Sequence, residues 1–202
     1  EKKIGSLNQE RIEKLNSIGF IWDVAELLWQ EGIKHFKEFC ESNNTYIVPQ
    51  KHICDDGFTL GSWCNSRRGE YRENLLEQSK IDELNNIGFI FDVDEYKWIT
   101  EFKSLKIFKQ KYGHTNVTQV YDRKNKVRLG KWCGHQRTAK KSNKLPLDRI
   151  EKLDKLGFIW NLREYLDDKQ WNEKYAYLVE YFNLFGDSKV PHRHETDGVK
   201  LG

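Results

Sequence analysis

The sequence predicts an all-α protein built from tandem repeats of a three-helix unit. A thirteen-residue stretch occurs three times, and its phenylalanines, Phe20, Phe89 and Phe158, are spaced 69 residues apart. The copies read IEKLNSIGFIWDV, IDELNNIGFIFDV and IEKLDKLGFIWNL. Apolar residues recur at helical spacing in each copy, and each helical pattern ends at a glycine. A fixed period of this length indicates repeated helical units.

The helix in each copy is expected to end in a Schellman motif. Gly157 follows the apolar stripe, and Phe158 is placed to contact Leu153 one turn back. The same arrangement recurs around Gly19 and Gly88. We therefore predict a positive φ at all three glycines, because the cap needs the left-handed conformation.

A new helix is predicted to begin almost at once after each glycine. The segments 23–26, 92–95 and 161–164 each place Asp or Asn three residues before Glu, which is the spacing of a capping box. The helix that follows carries a tryptophan and further large apolar residues on one face. In the last copy four extra residues precede Trp171, and they would add about one helical turn.

A long loop is predicted next, because residues 43–59, 113–128 and 186–200 show poor helical periodicity. An LG-x-W motif then opens the second helix. A helical wheel of residues 129–141 puts Trp132, Cys133 and Gln136 on one face and Lys131 on the opposite face. All seven tryptophans fall on three repeat positions, and we predict that they form the core.

The repeats predict four segments of chain. Residues 1–24 are expected to be the C-terminal part of a preceding repeat, and residues 163–202 the N-terminal part of a following one. Residues 25–93 and 94–162 are complete repeats, here named the acidic repeat and the basic repeat. The partial repeats and the absence of methionine lead us to expect a piece of a longer protein.

The charge is distributed unequally between the two complete repeats. Residues 98–162 contain 16 Lys and Arg against 5 Asp and Glu, whereas residues 29–93 contain 7 against 11. Clustered cations neutralise phosphates and give sequence-independent affinity for nucleic acid. The alternative is a solvated basic face with no partner. The candidate nucleic-acid-binding residues are Lys131, Arg137, Lys140, Lys141, Lys144, Arg123, Lys124, Lys126 and Arg128, with Arg67 and Arg68 in the acidic repeat.

Two residues of the second helix have alternative interpretations. Gln136 shares a face with Trp132, so a buried amide that ties this helix to a neighbouring loop is favoured over a side chain that reads base edges. Arg137 lies at the flank and is expected to be freer to reach a phosphate. Trp132 is expected in the core, and it would stack on a base only if it were exposed.

The motifs of the basic repeat resemble those of the helicase-associated domain family, small all-α modules repeated beside bacterial superfamily-two helicases. The matching positions are Tyr112-Gly113-His114, Val117, Leu129-Gly130, Trp132, Gln136-Arg137, Arg149-Ile150, Leu153, Gly157-Phe158 and Trp160. The acidic repeat departs from the pattern at 43–45, at Arg67-Arg68 and at Phe91. The resemblance implies a nucleic-acid-binding accessory module that works with the motor domains of a parent helicase.

No enzymatic motif is present in this sequence. It contains no GxxxxGK[ST] phosphate loop, GxSxG or HExxH, so we predict no catalytic residue and no cofactor, although the parent protein is expected to be an ATP-dependent helicase. His52 and Cys54 have no partner pair at zinc spacing, so no metal site is predicted. Cys64 and Cys133 share a repeat position and are expected to be small buried apolar residues, reduced in a cytoplasmic setting.

The sequence therefore favours a non-catalytic module that binds DNA or RNA mainly through phosphates. The alternative from another class is a protein–protein interaction scaffold that positions a helicase or partner. No apolar segment approaches the length of a membrane span, so no membrane partner is expected. The sequence leaves the strandedness of the nucleic acid and the oligomeric state open.

Overall fold

The computed structural model describes residues 8–125, 127–196 and 198–200, and helices make up about two-thirds of this part of the chain. The described elements are α1 (Gln9–Ser17), α2 (Val24–Asn43), α3 (Leu60–Arg72), α4 (Gln78–Asn86), α5 (Val93–Tyr112), α6 (Gln119–Asn125), α7 (Leu129–Lys141), α8 (Leu147–Lys155), α9 (Leu162–Phe185), β1 (Glu195–Thr196) and β2 (Val199–Lys200). The two short strands pair antiparallel. The predicted all-α repeat architecture is confirmed.

The chain divides between Lys97 and Trp98 into two compact units, each with its own apolar core. In the acidic repeat α2, α3 and α4 supply the core, and in the basic repeat α5, α7 and α8 do so. The two cores use the same repeat positions, 69 residues apart, and both of the predicted buried cysteines belong to them. The matched buried pairs are Trp29 and Trp98, Phe36 and Leu105, Phe39 and Phe108, Val48 and Val117, Leu60 and Leu129, Cys64 and Cys133, Leu84 and Leu153, and Phe89 and Phe158.

The Schellman motif is confirmed in all three copies. The Gly157 N–H donates to Asp154 O at 2.8 Å, and the Phe158 N–H donates to Leu153 O at 3.0 Å. These are the two hydrogen bonds that define the motif. The φ angles of Gly19, Gly88 and Gly157 are 71°, 76° and 67°.

The predicted N-caps are also present. The side chains of Asp23, Asp92 and Asn161 accept hydrogen bonds from the backbone N–H three residues on, at 2.8, 2.8 and 3.2 Å. The helix α9 has 24 residues where α2 and α5 have 20, so the extra residues lengthen the helix as predicted. No helix in the described part of the chain is both long enough and apolar enough to cross a membrane.

One predicted loop contains a helix. Residues 113–128 show poor helical periodicity, yet α6 forms within them. Its Tyr121 ring packs edge-on against Phe108 with the centroids 4.8 Å apart, and the Thr118 hydroxyl accepts the Tyr121 N–H at 3.2 Å. A tertiary contact and a local cap therefore stabilise a helix that the sequence pattern does not indicate.

The prediction that every tryptophan lies in the core is wrong for two of them. Trp22 and Trp171 are 38% and 62% exposed. They flank the two complete repeats, and within the described chain α9 has no later helices of its own repeat to pack against. Trp63 is half-buried against Gly32, where a Cβ would overlap the indole, and its buried Nε1 has no hydrogen-bond partner. A buried indole N–H usually has a hydrogen-bond partner, so this group is an exception.

Candidate nucleic-acid interface

The helix α7 is fixed in the basic repeat by its apolar face and by a cap from α6. Leu129, Cys133 and Gln136 are buried, as the helical wheel predicts. Asp122 accepts the N–H of Gly130 at 2.8 Å and that of Lys131 at 3.0 Å. Since its carboxylate occupies the first turn of α7, the N-terminal N–H groups of Gly130 and Lys131 are already satisfied. Anion binding here would therefore depend on side chains.

The opposite face of α7 and its flanks present a basic surface. Six candidate cations are exposed, and no ion pair joins any of them to a described carboxylate. We name this set the basic face, and it consists of Arg123, Lys124, Arg128, Lys131, Lys141 and Lys144. Lys126 lies outside the described residues. Unpaired cations of this kind keep their full charge available for an external anion.

A groove runs beside the first turns of α7. It encloses about 540 Å³, and three members of the basic face, Arg123, Arg128 and Lys131, line it together with Asp122, whose carboxylate caps α7. Gly134 also lines it, and a Cβ at this glycine would meet no atom within 4 Å. The groove is therefore open along the helix surface, with cations on its walls.

Arg137 does not reach outward as the sequence predicts. Its Nε donates to Ile159 O at 2.8 Å, its guanidinium lies over the Phe158 ring at 5.0 Å, and its buried Nη2 has no partner. Burial lowers the pKa of Arg137. The aromatic ring and the carbonyl thus hold the guanidinium against the protein, so Arg137 is a packing residue in this structure.

The two candidate arginines of the acidic repeat are also held against the protein, and Arg68 is held in the same manner as Arg137. The Nε of Arg68 donates to Ile90 O at 2.9 Å, and its guanidinium lies 5.0 Å over Phe89, which reproduces the Arg137 contacts. Arg67 forms an ion pair with Glu70, and its side chain is only 20% exposed. Neither arginine belongs to a free basic surface.

Lys140 is less exposed than the cations of the basic face but is not held against the protein by a hydrogen bond to a carbonyl of the described chain as Arg137 is. Its Nζ lies 3.9 Å above the Trp160 ring, a cation–π contact that partly covers the ammonium. At the same repeat position Tyr71 stacks on Phe91 with the centroids 4.1 Å apart. Lys140 is therefore less available than Lys141, which is exposed.

Gln136 is the buried amide that the sequence favours. It is 7% exposed, and its Oε1 accepts the indole N–H of Trp98 in α5 at 3.1 Å. The partner is therefore a helix and not the predicted loop. In the acidic repeat the Trp29 indole N–H donates instead to Glu83 at 2.6 Å. The predicted burial of Trp132 is met only in part, because this residue is half-buried.

A second groove in the basic repeat was not predicted from the sequence. It encloses about 570 Å³ between α5 and the α6–α7 segment, and Lys111, Tyr112, Tyr121 and Arg128 line it. Tyr112 is 43% exposed, and the Nζ of Lys111 lies over its ring at 5.3 Å from the centroid. The sequence marks this groove only by the YGH motif that contains Tyr112, and the motif does not indicate that the Tyr112 side chain is exposed. Glu101 lies in the same groove, and its burial and the negative Asp122 raise its pKa.

Comparison with known proteins identifies the family but no near relative. The model of the helicase associated domain matches residues 26–92 and 95–161, which cover both complete repeats. No curated protein and no solved structure matches the chain. The family is one of accessory domains found with helicases, as the repeat motifs imply. With two tandem matches over most of its length, the chain belongs to the helicase-associated domain family.

Proposed function

We propose that the chain is a nucleic-acid-binding accessory module of a helicase-like protein, and that the basic face contacts the phosphates of DNA or RNA. The observation that carries the proposal is the set of exposed cations on α7 and its flanks, none of which forms an ion pair with a carboxylate in the part of the chain that the structure describes. At the matching positions the acidic repeat has Cys54, Asp55, Thr59, Ser62, Arg72 and Leu75. One cation among six positions gives the acidic repeat no comparable surface.

The size of the basic face fits a short stretch of backbone. The 13 residues of α7 extend for about 20 Å. With a phosphate every ~3.4 Å along one strand of B-form DNA, that length faces about six phosphates. The cations of the basic face equal these phosphates in number, with Lys131 and Lys141 on α7 itself and the other four beside its ends. Backbone contacts of this type position a protein without reading sequence.

The experiment that tests the proposal is a binding titration at several salt concentrations. Fluorescently labelled duplex and single-stranded DNA, and an RNA of the same sequence, would be titrated with the whole chain. Six phosphate contacts predict a slope of log K against log salt of up to about 5 for duplex and about 4 for a single strand. The ratio of affinities then identifies the preferred form, and sequence-scrambled duplexes should bind equally well.

The scaffold alternative predicts a different outcome. A module that only positions a helicase or another protein needs no phosphate contacts, so it would bind none of these probes, or would bind with no dependence on salt. Either result would overturn the proposal.

A further inference from the structure

The acidic repeat brings together three side chains that commonly bind metal ions. A ring nitrogen of His35, the sulfur of Cys54 and a carboxylate oxygen of Asp56 all lie within 4.8 Å of one another. His35 belongs to α2, whereas Cys54 and Asp56 precede α3 in the loop. Donor atoms from two separate elements therefore meet at one point, which sequence spacing alone does not reveal.

The loop residues are held by a tight turn. The Cys54 N–H donates to Phe58 O and the Gly57 N–H donates to Cys54 O, both at 2.9 Å. The Phe58 N–H donates to Asp56 Oδ1 at 3.0 Å. Gly57 has a φ of 90°, which suits glycine alone among common residues. The turn thus fixes Cys54 and leaves the second carboxylate oxygen of Asp56 free to face α2.

The His35 ring lies between two carboxylates. Its Nε2 lies 3.1 Å from Asp56 Oδ2, and its Nδ1 lies 3.5 Å from Glu38 Oε2 on the other side. Phe58 stacks on the ring with the centroids 4.7 Å apart. A carboxylate next to the second ring nitrogen is the outer partner that fixes the ring and its tautomer in most histidine metal sites.

The three ligand types and the space around them indicate which metal ion would bind. Nitrogen, thiolate and carboxylate ligands together suit Zn²⁺, whose bonds of about 2.0–2.3 Å place tetrahedral ligands ~3.3–3.8 Å apart. The three donors lie within 4.8 Å of one another, so the largest shift needed to reach that spacing is about 1 Å. A cavity of about 420 Å³ adjoins them, lined also by Lys34, Ser42, Asn43 and His52. It gives a fourth ligand, such as water, access to the ion.

The basic repeat serves as an internal comparison. The residues 69 positions after His35, Glu38, Cys54 and Asp56 are Ser104, Ile107, Arg123 and Asn125. Every donor is replaced there, although the core positions of the two repeats match. The cluster is therefore not required by the fold of the repeat.

From this convergence we propose that His35, Cys54 and Asp56 form a Zn²⁺ site that ties α2 to the loop before α3, with the fourth position open to the adjoining cavity. Zn²⁺ binding would stabilise the acidic repeat, because an ion bound only by the folded form adds its binding free energy to that of folding.

The test uses Co²⁺ as a spectroscopic probe on the whole, chelator-treated chain. We expect one equivalent of Co²⁺ to give a thiolate-to-metal charge-transfer band in the near ultraviolet, and Zn²⁺ to displace it. Cys54→Ser should abolish the band. The control Cys40→Ser, which removes another partly buried thiol of the same repeat, should retain it.

A second set of variants tests the outer carboxylate. Glu38→Gln should weaken Co²⁺ binding by about 10-fold, as losses of outer-shell partners commonly do, whereas Glu41→Gln on the exposed side of α2 should leave it unchanged. Zn²⁺ should raise the thermal midpoint of the parent chain and of Cys40→Ser but not of Cys54→Ser. No band in the parent chain, or a band that survives Cys54→Ser, would overturn the site.

Discussion

The guanidinium of Arg137 lies over the ring of Phe158, with its central carbon 5.0 Å from the ring centroid. Arg68 and Phe89 repeat the contact at the same distance in the acidic repeat. Each arginine also donates Nε to the carbonyl of the residue after its phenylalanine. The second helix of each repeat is thereby fastened to the segment that follows the Schellman motif.

This contact predicts that Arg137 contributes to stability more than to nucleic-acid binding. Arg137→Lys removes both the planar stacking surface and the Nε donor, so we expect a loss of about 2 kcal/mol in the free energy of unfolding of the basic repeat. Arg68→Lys should cost a similar amount in the acidic repeat. Urea unfolding measures both. A variant that loses affinity for DNA with an unchanged unfolding midpoint would show that Arg137 acts at the surface.

The three cap glycines predict a graded series of alanine variants. All three have positive φ, so each substitution should cost about 1–2 kcal/mol for the left-handed backbone. Gly88→Ala should cost more than that, because its Cβ would lie 2.8 Å from Cε1 of Tyr46, whereas a Cβ at Gly19 meets nothing within 4 Å. Thermal unfolding of the variants gives the order. Equal losses at Gly88 and Gly19 would contradict the role of Tyr46.

The buried hydrogen bond between Trp98 and Gln136 predicts a strong coupling between the two side chains. Gln136→Leu leaves the indole N–H unpaired in the core and should cost about 1–3 kcal/mol. Trp98→Phe removes the donor, so the double variant should lose less than the sum of the single losses. A double-mutant cycle by urea unfolding measures this. Additive losses would mean that the hydrogen bond contributes nothing.

The basic face predicts unequal effects from matched charge removals. Replacing Lys131, Lys141 and Lys144 by Gln should lower the salt slope of DNA binding by up to about 3, since each lost contact is worth ~0.9. The control triple replaces three exposed cations of the acidic repeat that make no ion pair with a described carboxylate and should leave the slope nearly unchanged. Its members are Lys37, Lys51 and Arg72.

Both triples change the net charge by the same amount, so a general effect of charge would lower the two slopes equally. Each substitution is at the surface and should change the free energy of unfolding by no more than about 0.5 kcal/mol. Equal losses would show that local charge does not select the site. Unchanged DNA binding by both triple variants would show that the basic face does not contact DNA.

The buried thiols predict a loss of stability at alkaline pH. Burial raises the pKa of Cys64 and Cys133 from 9.0 to about 12. Between these values the unfolded thiols release protons that the folded thiols keep, so the free energy of unfolding falls as pH rises, by up to about 1.4 kcal/mol per pH unit for each thiol. Replacing both by Ala should flatten this slope. Replacing the less buried Cys54 should change it less, and a slope that neither change affects would contradict this assignment.

Local signals explain why much of the fold could be predicted from the sequence. The Schellman motif needs only Leu153, Gly157 and Phe158, all within six residues, and the capping boxes are shorter still. The repeat period then predicts which residues form the core, because side chains 69 residues apart occupy equivalent positions. Such signals do not depend on knowing which distant residues meet.

The remaining features depend on contacts between distant residues. α6 is held by Tyr121 against Phe108, a partner in another helix, so periodicity could not reveal it. Arg137 donates a hydrogen bond to a carbonyl 22 residues further along the chain. The sequence indicates a shared structural role only through the equivalent Arg68, which is also followed by a GF pair. The proximity of His35 to Cys54 likewise follows from the path of the loop.

The Lys140 contact with Trp160 bears on how such repeats can diverge after duplication. Tyr71 occupies the equivalent position and covers Phe91, so an ammonium and a phenol ring serve the same packing purpose on one scaffold. The residue at this position can therefore change between neutral and charged without a change in the backbone conformation. Repeats encoded in series can therefore acquire different electrostatic characters through single substitutions at this position.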